Sequence, residues 1–312
     1  GARPPPPPAS SAIPAGFTVN SGLEDLLGGG FDDDPAPPPP PPAAAAASAS
    51  GPASTIAPTV NLAECLKKLK AADNGLLYED AYVQIGIKSQ WQGNQGRVMF
   101  YIGNKHGADL EHFSMEITSP PIPGLNSRLA PAPAVIGPKK QVQVLLELAA
   151  SQGYSQSPSM TLRYCPAGVG GGALVNQTLP LPCGVQKYFQ PWAVGTPQDF
   201  FAKWHQVTAA AQDVQVVTVS PALAAGGLPA MEAALTSVKL GVHKGLDPNA
   251  NNIVAGSKVV YGGAGAAETF VLVRLESDAN NKAVFRITVA ANDMETVKGA
   301  QAAFFSQIKA YS

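Results

Sequence analysis

The chain has 312 residues, a formal net charge of −1, 14% charged and 45% hydrophobic residues, and three widely spaced cysteines. This balance argues against a nucleic-acid-binding protein, which needs a basic surface, and the lack of a Cys-x-x-Cys pair argues against a zinc or thioredoxin-like site. The longest uncharged stretch outside the N-terminal segment, residues 214–231, is interrupted by two prolines and two glycines, which argues against insertion into a membrane.

Residues 1–58 contain fifteen of the 30 prolines, one basic residue and five acidic ones. Polyproline runs are extended and hydrated, so this segment is predicted to be a disordered hinge or linker. Two short apolar–acidic islands interrupt it: Phe17-Thr-Val, and Leu23-Glu-Asp-Leu-Leu27, which is followed by Gly-Gly-Gly-Phe31-Asp-Asp-Asp34. Each is either a docking peptide or an ordinary piece of linker.

Residues 59–186 are predicted to form an immunoglobulin-like β-sandwich. Residues 61–70 form either a short helix or an extended entry, and Val83, Ile85 and Ile87 then alternate with other residues, as in a half-buried strand. Further strands are predicted over 97–103, 113–118, 140–148, 159–164 and 177–181. Strands at intervals of about 10–20 residues without a helix between them are typical of an antiparallel sandwich.

Residues 187–312 are predicted to form an α+β subdomain, the platform. A helix begins after Thr196, since Thr is a good N-cap and Pro197 suits the first helical position. Strands are predicted over 214–219, 235–240, 257–261, 269–275 and 283–289, and a closing amphipathic helix over 293–310.

The sequence shows no pattern that supports catalysis. No two of its four histidines have the i, i+4 spacing of a helical metal site, and neither a Gly-x-Ser-x-Gly elbow nor a phosphate-binding loop occurs. We therefore expect a protein that is not an enzyme and that needs no metal or cofactor.

One helical turn carries three large aromatic side chains, Phe200, Phe201 and Trp204. They either all belong to a core, or Phe201 and Trp204 line a surface pocket for an aromatic anchor of a peptide. The exposure of Phe201 and Trp204 distinguishes the two alternatives.

The same region resembles a known family. Lys187-Tyr-Phe-Gln-Pro191, followed by Pro197-Gln-Asp-Phe-Phe-Ala-Lys-Trp204, is similar to the junction and first platform helix of the alpha-adaptin appendage, the ear of the plasma-membrane clathrin adaptor complex. Residues 81–89 and 96–105 resemble its first sandwich strands, and residues 272–276 and 285–288 its last platform strands. The resemblance covers about residues 76–312, and it implies that residues 1–58 are the hinge that joins the ear to the adaptor core.

The resemblance implies a non-enzymatic hub in the cytoplasm, peripheral to the membrane at clathrin-coated pits. It would recruit endocytic accessory proteins through Asp-Pro-Phe/Trp and Phe-x-Asp-x-Phe motifs in their disordered regions, alongside other adaptor subunits. Leu23-Glu-Asp-Leu-Leu27 loosely resembles a clathrin-binding peptide, and Phe31-Asp-Asp-Asp34 resembles half of a platform ligand that could occupy the molecule's own platform. The alternative from another class is a structural or secreted β-sandwich on a Pro-rich stalk.

The resemblance also assigns platform residues. By position, Phe201 and Trp204 would form aromatic walls, and Arg274 and Arg286 would attract the peptide acid, with Asp213 and Glu276 framing the pocket. The alternative for the two arginines is an ordinary solvated charge on a strand. The family carries a further arginine where this chain has Ala290, so binding of an acidic motif is expected to be weaker or differently placed.

A second, smaller site is implied on the sandwich, where the family binds Trp-x-x-Phe/Trp peptides. It would consist of Lys88, Tyr101, Gly103 and Gln141, and Tyr101 stands where the family has phenylalanine. The alternative is that these are ordinary residues of a sheet surface.

Overall fold

The structure is a computed structural model that describes residues 55–118, 120–168, 173–262 and 265–309. These residues form a β-sandwich followed by an α+β platform, as the sequence predicts. The predictions for the hinge up to residue 54, including both apolar–acidic islands, lie outside the described residues.

The sandwich consists of one helix and eight strands: α1 (Leu62–Ala71), β1 (Asn74–Glu79), β2 (Val83–Gln92), β3 (Gln95–Asn104), β4 (Leu110–Ile117), β5 (Leu125–Leu129), β6 (Gln141–Ala150), β7 (Ser159–Pro166) and β8 (Val175–Pro180). The strands form a five-stranded sheet of order β1-β2-β3-β6-β5 and a three-stranded sheet of order β4-β7-β8. All of the pairings are antiparallel.

The alternation in the sequence becomes the inner face of the larger sheet. Val83, Ile85 and Ile87 are buried, and Ile85 pairs with the buried Ile102 of β3. The β2–β3 hairpin turns at Gly93, whose φ of 55° is in the left-handed region that glycine tolerates. Strands β1 and β5 were not predicted, because neither segment shows a long alternating pattern.

A 3₁₀ turn, Val185–Tyr188, follows the last sandwich strand. It includes residue 187, where the sequence places the start of the platform, and that boundary stays a prediction. The elements of the platform are β9 (Gln190–Pro191), α2 (Pro197–Ala210), β10 (Ala211–Thr218), α3 (Pro221–Ser237), β11 (Gly241–His243), β12 (Asn252–Val260), β13 (Glu268–Ser277), β14 (Val284–Ala291) and α4 (Met294–Ile308). The sheet has the order β10-β14-β13-β12-β11, and β9 pairs with β12. Helices α3 and α4 share a core with one face of the sheet, and α2 packs on the other face.

The predicted strand over 235–240 is wrong. Leu235 lies in α3, which buries Met231, Ala234 and Leu235 against the sheet. The helical pattern is hidden in the sequence because α3 is broken at Gly227, with φ 60° and ψ −151°, and contains Pro229. Within the described ranges, no helix combines the length and apolar composition needed to cross a membrane.

The two subdomains are joined by a buried lysine and a close helix contact. Lys187 donates through Nζ to the carbonyl oxygen of Ala72 at 2.7 Å and to Asp73 at 3.1 Å, so it ties the platform entry to the sandwich. On α4, a Cβ at Gly299 would lie 2.4 Å from the carbonyl oxygen of Tyr154. Glycine is therefore required for α4 to approach the sandwich this closely.

Candidate functional site

Helix α2 begins where the sequence predicts, because its first turn is fully capped. The Thr196 hydroxyl accepts from the backbone N–H of Asp199 at 3.2 Å, and the Asp199 carboxylate accepts from the backbone N–H of Thr196 at 3.0 Å. This capping box, with Pro197 in the first turn, fixes the helix start and therefore the direction of each side chain that follows.

The three aromatic side chains of α2 divide between interior and surface. Phe200 is fully buried, whereas Phe201 and Trp204 are only partly buried. The Trp204 ring stacks on Phe200 with centroids 6.0 Å apart, and the Phe201 ring meets Phe200 edge-on at 5.4 Å. The two predicted wall residues thus keep exposed surface and rest on a buried ring.

Phe200 belongs to a small apolar cluster between α2 and the sheet. Its buried members are Phe200, Val207, Val254, Leu272 and Ala290. Trp192 also stacks on Phe200, with ring centroids 6.3 Å apart. Ala290 pairs with Leu272 and is fully buried, so the position where the family carries a further arginine is an interior position in this chain.

A row of alternating charges lies on the same face of the sheet. Strand pairing places Arg274 beside Thr288 and Glu276 beside Arg286, in line with Leu272 and Ala290 beneath α2. Arg286 donates to Glu276 at 2.8 Å, and Glu276 also contacts Arg274 at 3.2 Å. The three predicted site residues Arg274, Glu276 and Arg286 therefore lie together, and both arginines are ion-paired with the glutamate.

The inner end of this row is the buried Asp247, which the sequence analysis missed. Burial would raise the pKa of Asp247, but hydrogen bonds from Arg274, at 2.7 Å, the Asn249 N–H and Asn252 hold it below its ordinary value. Asp247 thus stays ionised and compensates Arg274, whose side chain is 31% exposed. The Arg286 side chain is 56% exposed and is the more accessible cation. Asp247 lies 27 residues from Arg274, so no local pattern links them.

Asp213 is not brought to this surface. On β10 it pairs with Val289, whose side chain faces α4. Its carboxylate accepts from Gln215 at 2.9 Å and from Gln301 of α4 at 2.7 Å, and these hydrogen bonds lower its pKa. The prediction that Asp213 frames the platform pocket is corrected here, because Asp213 lies on the opposite face of the sheet.

Four residues of β10 do share this face: Gln212, Val214, Val216 and Thr218. Val214 pairs with Thr288 and Val216 with Arg286, and both valines are exposed. The sequence analysis placed a strand here without assigning its faces. Which residues of β10 face α2 follows only from the pairing of β10 with β14.

The four residues predicted on the sandwich lie on the outward face of the five-stranded sheet. Gly103 pairs with Gln141 on β6, and Tyr101 pairs with Gly86 on β2. Lys88 is two positions along β2 from Gly86, on the same face, and Tyr101, Lys88 and Gln141 are partly exposed. The structure thus places these four residues on one face of the sheet.

Neither of two clefts, of about 260 and 270 Å³, is lined by a residue of α2, although the first is lined by Asp247 at the inner end of the charge row. The first lies between α3 and the β11–β12 turn, beside His243, whose pKa is lowered by burial. In the part of the chain that the structure describes, no group of three His, Cys, Asp or Glu residues is placed to hold a metal ion.

Comparisons with known proteins match both halves of the chain. A family model described as "Alpha adaptin AP2, C-terminal domain" matches residues 187–304, and one described as "Adaptin C-terminal domain" matches residues 73–182. The AP-2 complex subunit alpha-1 of Arabidopsis thaliana is 32% identical over 243 residues, which are 77% of this chain and 23% of that protein. The AP-2 complex subunit alpha-2 of Dictyostelium discoideum is 29% identical over 224 residues, which are 71% of this chain and 22% of that protein.

The chain thus spans about a quarter of the length of these curated relatives. Among solved structures, the GAE domain of yeast GGA1 matches 34% of this chain and 97% of its own length, at 13% identity and a TM-score of 0.29. That score is too low for the likeness to bear on the fold.

Proposed function

The chain belongs to the alpha-adaptin appendage family, and we propose that it is a non-enzymatic module that recruits endocytic accessory proteins to clathrin coats by binding their short peptide motifs. The whole adaptor would place it in the cytoplasm, at the plasma-membrane coat, with the other adaptor subunits as partners. The observation that carries the proposal is the partly exposed aromatic pair, Phe201 and Trp204, on the same side of the platform sheet as the exposed Arg286.

The aromatic pair would hold the apolar anchor of an Asp-Pro-Phe/Trp motif. The Trp204 ring is supported from behind by the buried Phe200, so its position costs little to fix on binding. An aromatic anchor removes apolar surface from water, at about 25 cal/mol per Å². A single motif is expected to bind weakly, in the micromolar range, and several motifs together would gain strength by avidity.

The charge row would select the acidic residue of the motif. Arg274 is compensated by Asp247 and Glu276, whereas Arg286 has Glu276 as its one ion-pair partner among the described residues. We therefore expect the motif carboxylate to bind the outer side of the Arg286 guanidinium, where a charge-assisted hydrogen bond is available without breaking the row.

The test is a titration of the 312-residue chain with a fluorescent Asp-Pro-Trp peptide. Wild-type protein should bind in the micromolar range, Trp204→Ala should lose binding at least tenfold, and Arg286→Gln should lose part of it. His205→Ala is the matched control, because His205 is exposed on the same helix and should leave affinity unchanged. Equal binding by Trp204→Ala and wild type, with both folded, would rule out the aromatic surface as the site.

A second candidate site is supported by the sandwich patch. Gly103 has no side chain and lies two positions from Tyr101 on the same strand face, and a Cβ added there would meet only the Gln84 carbonyl oxygen, at 3.9 Å. Gly103→Val should therefore fill the patch and weaken a Trp-x-x-Phe peptide at least fivefold while leaving stability unchanged. Binding by Gly103→Val that equals the wild type would exclude this patch.

A further inference from the structure

His243 lies at the end of β11, on the face of the platform sheet that α2 covers. It pairs with Val254, which in turn pairs with Arg274, so the three residues share this face. The imidazole ring meets the rings of Phe200 and Trp192 at steep angles, with centroids 6.0 and 6.3 Å apart. A titratable ring thus takes part in the apolar cluster beneath α2.

One nitrogen of this ring has no hydrogen-bond partner. His243 Nε2 is buried and, within the described part of the chain, it neither donates nor accepts. It is directed at the sheet, because a Cβ added to Gly256 would lie 3.4 Å from it. A neutral imidazole can leave Nε2 without a proton. An imidazolium would instead bury a charged N–H that has no acceptor, which is costly.

The charged groups around His243 do not compensate a proton on it. Asp247 already compensates Arg274 at 2.7 Å, and Lys244 pairs with Glu232 at 2.9 Å. Burial accordingly lowers the pKa of His243 from its ordinary value of 6.5. The charged or titratable groups on the elements around the ring are Asp199, Lys203 and His205 on α2, Glu232 on α3, Lys258 on β12, Arg274 on β13, and Lys244 and Asp247 on the loop after β11.

We propose that His243 is a positioning residue for peptide binding, whose neutral ring holds Phe200 and Trp204 in the binding arrangement and whose protonation releases it. Trp204 stacks on Phe200 at 6.0 Å, so a charge that drives the imidazole out of the cluster removes the support of the wall residue. The inference rests on the proposed function and adds a pH dependence to it.

The sign of this dependence follows from burial. The folded chain favours the neutral ring, so this group leaves the fold and the wall unaffected above the unfolded histidine pKa of about 6.5. Below that pH, the unfolded chain or an opened wall binds the proton more readily than the packed ring does. Peptide affinity should therefore be constant near neutral pH and should fall in acid.

The test is the affinity of the 312-residue chain for a rhodamine-labelled Asp-Pro-Trp peptide between about pH 7.5 and about pH 5.0. Wild-type affinity should fall about threefold or more over this range, because only the fraction with neutral His243 is competent to bind. His243→Phe keeps a ring in the cluster that cannot be protonated, so it should match the wild type at neutral pH and stay constant in acid. His243→Ala should bind more weakly at every pH. His205→Ala removes an exposed histidine from α2 and, as the matched control, should keep the wild-type pH profile.

NMR of the wild-type chain provides a test that does not depend on a variant. Saturating peptide should lower the pKa of the His243 ring, because binding and protonation oppose each other reciprocally. An unchanged pKa of His243 on binding, a wild-type affinity that stays constant down to about pH 5.0, or an equal loss in acid for His243→Phe would overturn the proposal.

Failure of the proposed function gives a different result, since no Asp-Pro-Trp peptide would then bind at any pH. In that case the link between His243 and the wall is judged by the hydrogen-exchange protection factors of the α2 amides. They should fall in acid in the wild type and not in His243→Phe, and an equal fall in both would contradict the link.

Discussion

Truncating the buried ring beneath the aromatic wall should destabilise the platform strongly. In Phe200→Ala the variant loses a side chain with no exposed surface, which clusters with Val207, Leu272 and Ala290 and stacks with both Trp192 and Trp204. Phenylalanine-to-alanine changes in protein cores cost about 3–5 kcal/mol. Because this cluster lies near the surface and α2 can settle partly into the gap, we expect about 3 kcal/mol.

The matched control is the next residue along the helix. Phe201 meets Phe200 only edge-on and is partly exposed, so Phe201→Ala should cost about 1 kcal/mol, in proportion to the smaller area it buries. For a protein of this size each kcal/mol lowers the melting temperature by about 2–4 °C. Phe200→Ala should therefore melt about 6–12 °C below the wild type, and Phe201→Ala only a few degrees below it.

The assay is urea unfolding followed by circular dichroism, together with thermal melts of the wild type and both variants. In the peptide titration, Phe200→Ala should also weaken binding under conditions where it is folded, because Trp204 loses the ring on which it stacks. A loss of stability in Phe200→Ala no larger than that in Phe201→Ala would refute the division into one buried and two surface aromatics.

The remaining predictions concern the junction, the buried aspartate and the N-terminal segment. Asp73→Ala should cost about 1–2 kcal/mol in urea unfolding, less than a fully buried pair, because Asp73 is half exposed while Lys187 stays buried; no change would contradict the role of this pair. Because the pKa of Asp247 is lowered in the folded state, the ionised carboxylate stabilises the fold above the unfolded pKa of about 4, and this stabilisation is lost as the pH falls further. Asp247→Asn should therefore be less stable than the wild type at pH 7, and its free energy of unfolding should fall less steeply in acid. The same pH dependence of the free energy of unfolding in the variant and the wild type would argue against this role of Asp247. Deleting residues 22–34 should raise affinity for added Asp-Pro-Trp peptide if that segment occupies the platform, and unchanged affinity would remove that hypothesis.

Local sequence patterns predicted most of the elements that carry the site. The Thr196–Asp199 capping box fixed the start of α2, and the alternation at Val83, Ile85 and Ile87 placed the inner face of the sandwich. These predictions succeed because capping and alternation depend on neighbours within a few residues. Helix α3 was missed for the same reason, since Gly227 and Pro229 break its local pattern.

The site itself depended on contacts between distant segments. The family resemblance selected Arg274, Glu276 and Arg286, but only strand pairing shows that they form one row. The same pairing sends Asp213 to the face of α4 and leaves Val216 exposed at the edge. Shifting a strand by a single residue exchanges its two faces, so side-chain direction follows from register rather than from composition.

The sequence by itself determined the order of the subdomains, the start of α2 and the concentration of aromatic residues in one helical turn. Only the tertiary structure decided that Phe200 is buried while Phe201 and Trp204 keep exposed surface, and that Asp247 compensates Arg274. Element formation responds to short-range preferences of the backbone. Burial and charge pairing, in contrast, are set by which segments the fold brings together across the sheet.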